Sequence, residues 1–336
     1  MFFTIKLKKI FTFVIILILL ISITFIATKC YAEIIKSNDE KKYIKWVDFD
    51  VPYPALEYAY NLDIKSHNSD KNIKYNWIEL LAYTASKYGG NFSKYKQKDI
   101  DDLIKRLNNG ESISQITEKM KTFDYYLESY SSILGEFVGY YKIEETDENG
   151  NINLVEKYGL KVFSPIAKGY PFSDSDDFGV SREYGYKRRH LGHDLIASTG
   201  TPVIAIESGT VEELGWNQYG GWRIGIRSFD KKRYYYYAHL RKDYPYSSNV
   251  VKGGTITAGD VIGYVGRTGY SPNENVNNIE VSHLHLGMEL IFDESQKDGT
   301  NQIWIDLYSI TKLLLKNKSE VKKVDGTKEY RRIYNY

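Results

Sequence analysis

The chain has 336 residues, 31 of them tyrosine, one cysteine and a formal net charge of +2 at pH 7. With that near-neutral balance and no block of Lys and Arg dense enough to track a phosphate backbone, nucleic acid is excluded as a partner. A lone Cys30 excludes an internal disulfide, and the length leaves room for two modest domains beside a targeting segment.

Lys6, Lys8 and Lys9 precede a run from Ile10 to Ala27 that is broken only by Thr12, Ser22 and Thr24. Positive charge ahead of an apolar run keeps the N-terminus in the cytoplasm and sends the remainder outward. Residues 10–27 are at the short end for spanning a bilayer and long for a signal-peptide core. Residues 1–34 are therefore expected to be a retained single-pass anchor in the cytoplasmic membrane with the body extracytoplasmic, the alternative being secretion after cleavage near Ala32. Lys29 stands where lipid attachment at Cys30 would want a small residue. Residues 35–52 are polar and read as a spacer.

Residues 53–141 predict a small all-helical domain. Pro54 can open a helix through Leu56, Ala59 and Tyr60. Trp77, Leu80, Leu81 and Thr84 or Ala85 share a face over 75–88, stopped by Gly89-Gly90. Further helices are expected over 99–107, 112–120 and 125–138. Glu79, Glu111, Glu128 and Glu136 sit on or near these helices; a glycosidase would use such a carboxylate as general acid, but no local motif marks any of them, so they read as solvated faces or caps. Asn149-Gly150 between two alternating runs predicts a hairpin connector over 142–160.

From 161 to 315 glycines recur between short β-branched and aromatic runs, the pattern of an all-β domain. It holds His190-Leu191-Gly192-His193-Asp194, then His239 at the end of Tyr234–Ala238, then His283-Leu284-His285. If these stretches are strands, alternation puts His190 with Asp194 and His283 with His285 on one face, Leu284 and Leu286 behind them, and His193 on the opposite face, where it is not counted as a ligand. Catalytic zinc takes three protein ligands and keeps a position open, and imidazole and carboxylate both suit it. Two histidines and an aspartate fill that quota, leaving two histidines for proton transfer or charge stabilisation. Gly263, Gly266 and Gly269 lack the lysine and spacing of a phosphate-binding loop and read as β turns.

The order and spacing of these blocks resemble the M23 zinc metallopeptidases of the lysostaphin type. The matching residues are His190-x-Gly192-x-Asp194, Gly200-Thr201-Pro202-Val203, Gly209-Thr210-Val211, Tyr237-Ala238-His239-Leu240 and His283-Leu284-His285, with Phe178-Gly179 and Arg182 ahead of them. The likeness covers roughly 160–310. It implies an antiparallel-sheet peptidase domain and hence an α+β multidomain chain: membrane segment, helical domain, C-terminal β domain. It further implies one zinc ion held by His190, Asp194 and His285, with His239 and His283 as catalytic histidines acting on peptide bonds of peptidoglycan. Two features depart from the family: a long stretch, Tyr270–Ser282, before His283, and Leu286-Gly287 where an aromatic and an acidic residue commonly follow the last histidine. A rival reading is a membrane-anchored M23-like binding or channel component of the envelope, as in sporulation, whose metal site has decayed; the complete set of five side chains favours the enzyme. Residues 303–315 predict a terminal helix, and 316–336 a basic, mobile tail.

Overall fold

The computed structural model describes residues 43–70, 72–297 and 299–333, with residues 12, 15–16, 19–26 and 28–29. The chain divides into residues 1–44 and 45–336. In the first unit the described residues from 12 to 29 are helical, and among the described residues no helix is long and apolar enough to cross a membrane. The rest of the expected anchor, Cys30 included, lies outside the described residues.

The second unit opens with helices α1 (Tyr53–His67), α2 (Trp77–Tyr88), α3 (Gln97–Asn108), α4 (Ile113–Thr117) and α5 (Phe123–Leu134). The Asn76 side chain caps α2 by accepting from the Ile78 and Glu79 backbone, and Gly89 ends it in the left-handed region at φ 62°. Leu56, Leu80, Leu81, Tyr130 and Ile133 are fully buried between these helices. The last helix stops at Leu134, short of the expected Val138, because the chain turns into strand there. Of the four glutamates, Glu128 is exposed, Glu111 and Glu136 pair with Arg106 and Lys161, and Glu79 is half-buried, with burial raising its pKa.

Strands β1 (Val138–Thr146) and β2 (Ile152–Leu160) form the hairpin, which begins before residue 142. Asp147 Oδ1 accepts from the Asn149 and Asn151 backbone, and Gly150 takes φ 85°. The β domain follows: β3 (Ser181–Tyr184), β4 (Tyr186–Arg189), β5 (His193–Ile196), β6 (Pro202–Ile204), β7 (Gly209–Asn217), β8 (Gly221–Ser228), β9 (Arg233–Ala238), β10 (Thr255–Ile256), β11 (Val261–Tyr264), β12 (His283–Leu290) and β13 (Ile303–Trp304). The main sheet has the order β10-β7-β8-β9-β12-β13, with β5 also paired to β12. Strand β12 is its pivot: β9 lies antiparallel on one edge, and β5 then β13 share the other.

Two expectations near the C-terminus are corrected. Ile303, Ile305 and Leu307 are buried at alternate positions and belong to an extended segment, so helix α6 runs only over Tyr308–Leu314. Beyond it, β14 (Val321–Lys323) and β15 (Tyr330–Arg332) pair as a hairpin. Tyr330 packs edge-on against Tyr170 and donates its backbone N–H to Tyr264 Oη at 2.9 Å, so these residues are docked rather than a free tail.

Candidate active site

Strand register assembles most of the site. His285 on β12 stands opposite Asp194 on β5 and opposite Ala238, the residue before His239, at the end of β9. His283 and His285 alternate with Leu284 and Leu286, which are fully buried behind them. His190 arrives differently. Strand β5 begins only at His193, so His190 shares no strand face with Asp194; its backbone is instead tied to the preceding loop, donating to Val180 O and accepting from Gly179 N. Gly192 permits the approach, because a Cβ there would lie 2.5 Å from His285 Cε1 and 2.7 Å from its Nε2.

Three atoms converge. His190 Nε2, Asp194 Oδ1 and His285 Nδ1 are separated pairwise by 3.0, 3.1 and 2.9 Å. A triangle of that size fits a cation about 2.0–2.1 Å from each corner. The orientation of His190 suits a ligand: its Nδ1 donates to the Asp177 backbone oxygen at 3.1 Å, which leaves Nε2 with its lone pair facing the triangle. Burial lowers the His190 pKa, but hydrogen bonds to Asp177 and Asp194 outweigh it and raise it to about 9. Burial likewise opposes charge on Asp194, yet hydrogen bonds from His190 and His285 hold that carboxyl far below the usual range. The carboxylate that favours a proton on His190 would equally favour a cation among these three atoms.

His239 and His283 complete the cluster, their ring centroids 4.8 Å apart and that of His239 5.7 Å from His285. His239 is a non-glycine residue at φ 60°, a conformation that persists only where its surroundings fix it. Its backbone N–H donates to Gly220 O, and its Nδ1 lies 2.9 Å from Thr268 O. A carbonyl can only accept, so Nδ1 carries the proton and Nε2 is free to accept one. Burial first, then the neighbouring His283 and His285, push the His239 pKa well below its ordinary value. His283 is fixed in the same manner, Nδ1 at 2.8 Å from Val281 O, with Nε2 3.7 Å from Asp194 Oδ1.

His193 lies on the far face, buried between Asp174 at 3.0 Å and Asp177 at 3.2 Å. Nothing in the sequence marks Asp174 and Asp177 beyond the acidic run Asp174-Ser175-Asp176-Asp177 ahead of the histidines. The site opens on a groove of about 470 Å³ lined by Arg188, Tyr219, Tyr236, Tyr270 and Trp304 among others. The long stretch after Gly269 builds one wall: Tyr270 sits 5.7 Å from the His239 ring, and Asn275 Oδ1 accepts from Trp222 Nε1. Gly287 lets Trp304 in, since a Cβ there would meet its ring at 2.6 Å.

Residues 188–298 match Peptidase family M23. An L-Ala–D-Glu endopeptidase of Bacillus subtilis is 31% identical over 194 residues, 52% of this chain and 56% of that protein. Lysostaphin of Staphylococcus simulans is 43% identical over 98 residues, 29% of this chain and 17% of that protein. The solved catalytic domain of lysostaphin aligns at 30% identity over 42% of this chain and 92% of that one, with a TM-score of 0.33. The chain thus spans about half the length of the first relative and less than a fifth of the second. The domain at residues 188–298 belongs to peptidase family M23.

Proposed function

We propose that the chain is a zinc-dependent endopeptidase that hydrolyses peptide bonds in the cross-links or stems of peptidoglycan, for cell-wall remodelling. The observation that carries this reading is the triangle of His190 Nε2, Asp194 Oδ1 and His285 Nδ1 with two further imidazoles beside it, at the floor of a groove. Names of relatives support the substrate: L-Ala–D-Glu endopeptidase and glycyl-glycine endopeptidase.

His190, Asp194 and His285 would hold one zinc ion and leave a coordination position open. When bound, zinc supplies Lewis acidity toward a carbonyl and lowers the pKa of a water from about 15.7 to about 7. His239, kept neutral by burial and with Nε2 unprotonated, accepts a proton from the attacking water and passes it toward the leaving amine. His283 is left to hydrogen-bond the substrate. Arg182 and Asp177 fix the ligands from behind.

Loss of one such preorganised group typically costs about 3–4 kcal/mol of barrier. His283→Ala is accordingly expected to retain zinc and lose activity, whereas Asp194→Ala loses the metal. Zinc analysis and a muropeptide digest of both variants test this; an active Asp194→Ala would refute the site.

The proposal extends to location. The lysines before residues 10–27 support a single-pass anchor with the catalytic domain outside, secretion after cleavage near Ala32 being the alternative. Fractionation of cells expressing the full chain separates the two.

A further inference from the structure

Strand β4 brings Arg188 and Arg189 to the groove wall beside His190, the Arg189 guanidinium lying near Gly179, where an added Cβ would be 3.1 Å from its Nη2. Arg188 is half-buried: its Nη2 donates to Tyr270 Oη at 2.7 Å, and its guanidinium carbon lies 5.0 Å from the Tyr270 ring centroid and 5.4 Å from that of Tyr219. Its Nη1 is covered and has no hydrogen-bond partner. Arg189 is exposed. Four other arginines of this domain, Arg182, Arg223, Arg227 and Arg233, each meet a carboxylate. Among the described residues Arg188 and Arg189 meet none.

The placement of this charge matters. Tyr270 links Arg188 to His239, its ring 5.7 Å from the imidazole, so the uncompensated charge stands one aromatic ring from the reacting groups. Of the groove's acidic side chains, Asp194 belongs to the ligand triangle, Glu213 is engaged by Arg223, and Glu289 lies buried. A peptide lying in the groove past His190 therefore meets positive potential on this wall. Arginine's planar fork is suited to a carboxylate, and an uncharged glycine bridge would leave it unused.

We propose that Arg188 and Arg189 select substrates in which a residue flanking the scissile bond carries a free carboxylate. Arg189 makes the contact, and Arg188 is a positioning residue that holds Tyr270 and adds to the field. This rests on the hydrolase reading above.

The test uses the full-length zinc-loaded protein and three probes: an L-Ala–γ-D-Glu stem peptide with its α-carboxylate free, the same peptide as the α-carboxamide, and pentaglycine. The parent protein is expected to cleave the carboxylate form with kcat/KM at least tenfold above the other two, a margin that shrinks as salt is raised. Arg189→Gln should raise KM for the carboxylate form about tenfold, leave kcat within twofold and leave the carboxamide unaffected; Arg189→Lys should recover part of the loss. Equal cleavage of carboxylate and carboxamide overturns the inference. So does a preference that survives in both Arg189→Gln and Arg188→Gln, or cleavage of isolated peptidoglycan only at a bond without a flanking carboxylate. If neither the peptides nor peptidoglycan is cut, the hydrolase reading fails, and the inference fails with it.

Discussion

Arg182 Nη2 lies 3.0 Å from Asp194 Oδ2 and 3.0 Å from Asp177 Oδ2, so one guanidinium nitrogen joins the carboxylate of the ligand triangle to the loop that orients His190. With Oδ2 engaged, Asp194 presents Oδ1 to both imidazoles. Arg182→Ala is therefore expected to weaken zinc binding by about 10–100-fold, the usual effect of removing an outer hydrogen-bond partner of a ligand. Competition with a chromophoric chelator measures it; an unchanged zinc affinity would show that strand register alone fixes Asp194.

Gly192→Ala tests the close approach of the segment before β5 to β12. The added Cβ would press on His285, whose ring atoms are 2.5 and 2.7 Å from its ideal position, and on the Leu286 backbone oxygen at 2.7 Å. Displacing His285 opens the triangle while the leucines behind it stay buried. The expected outcome is zinc affinity reduced about tenfold or more with an unchanged far-UV circular dichroism spectrum; full metal affinity would mean the segment shifts without cost.

What could be read from the chain followed from local periodicity. His283 and His285 with Leu284 and Leu286 behind them form a true strand, so alternation describes them directly. The same reasoning brought His190 together with Asp194 by a route the molecule does not take, because β5 starts at His193 and a loop contact near Val180 places the first histidine. Asp177 is not legible: it acts through backbone and side-chain contacts to Arg182, His190 and His193 that follow no strand or helix period. Ile303, Ile305 and Leu307 alternate with a period of two before Ile310, Leu313 and Leu314 take up the helical one, and a single helical window merged them. The C-terminal hairpin had a signal, Asp325-Gly326 with the glycine at φ 71°, which the basic composition around it obscured.

Arg233 should be the most sensitive stability position in the second unit. It is fully buried, forks onto Glu207 at 2.8 and 2.9 Å, meets Asp230 at 2.8 Å, and donates to the Ser132 backbone oxygen of α5 at 2.7 Å. Its loss leaves Glu207, only 7% exposed, without its cation. Arg233→Met is predicted to cost roughly 3–5 kcal/mol, read as a lowered urea midpoint with an unchanged slope. Arg233→Lys should recover little, since an ammonium cannot reproduce the fork. A shift below about 1 kcal/mol would reduce the contact to the level of a surface pair.

The acid limb of the pH profile tests the role given to His239. Its folded pKa is depressed well below the ordinary 6.5 by burial and by the adjacent His283 and His285. A base with a depressed pKa stays unprotonated at pH values where a free imidazole is already half protonated. Activity should consequently persist as pH falls through 6.5, and kcat/KM should decline only at lower pH. Zinc content must be followed over the same range, because protons also compete for His190 and His285. With zinc retained, a limb at or above pH 6.5 would remove His239 as the proton acceptor.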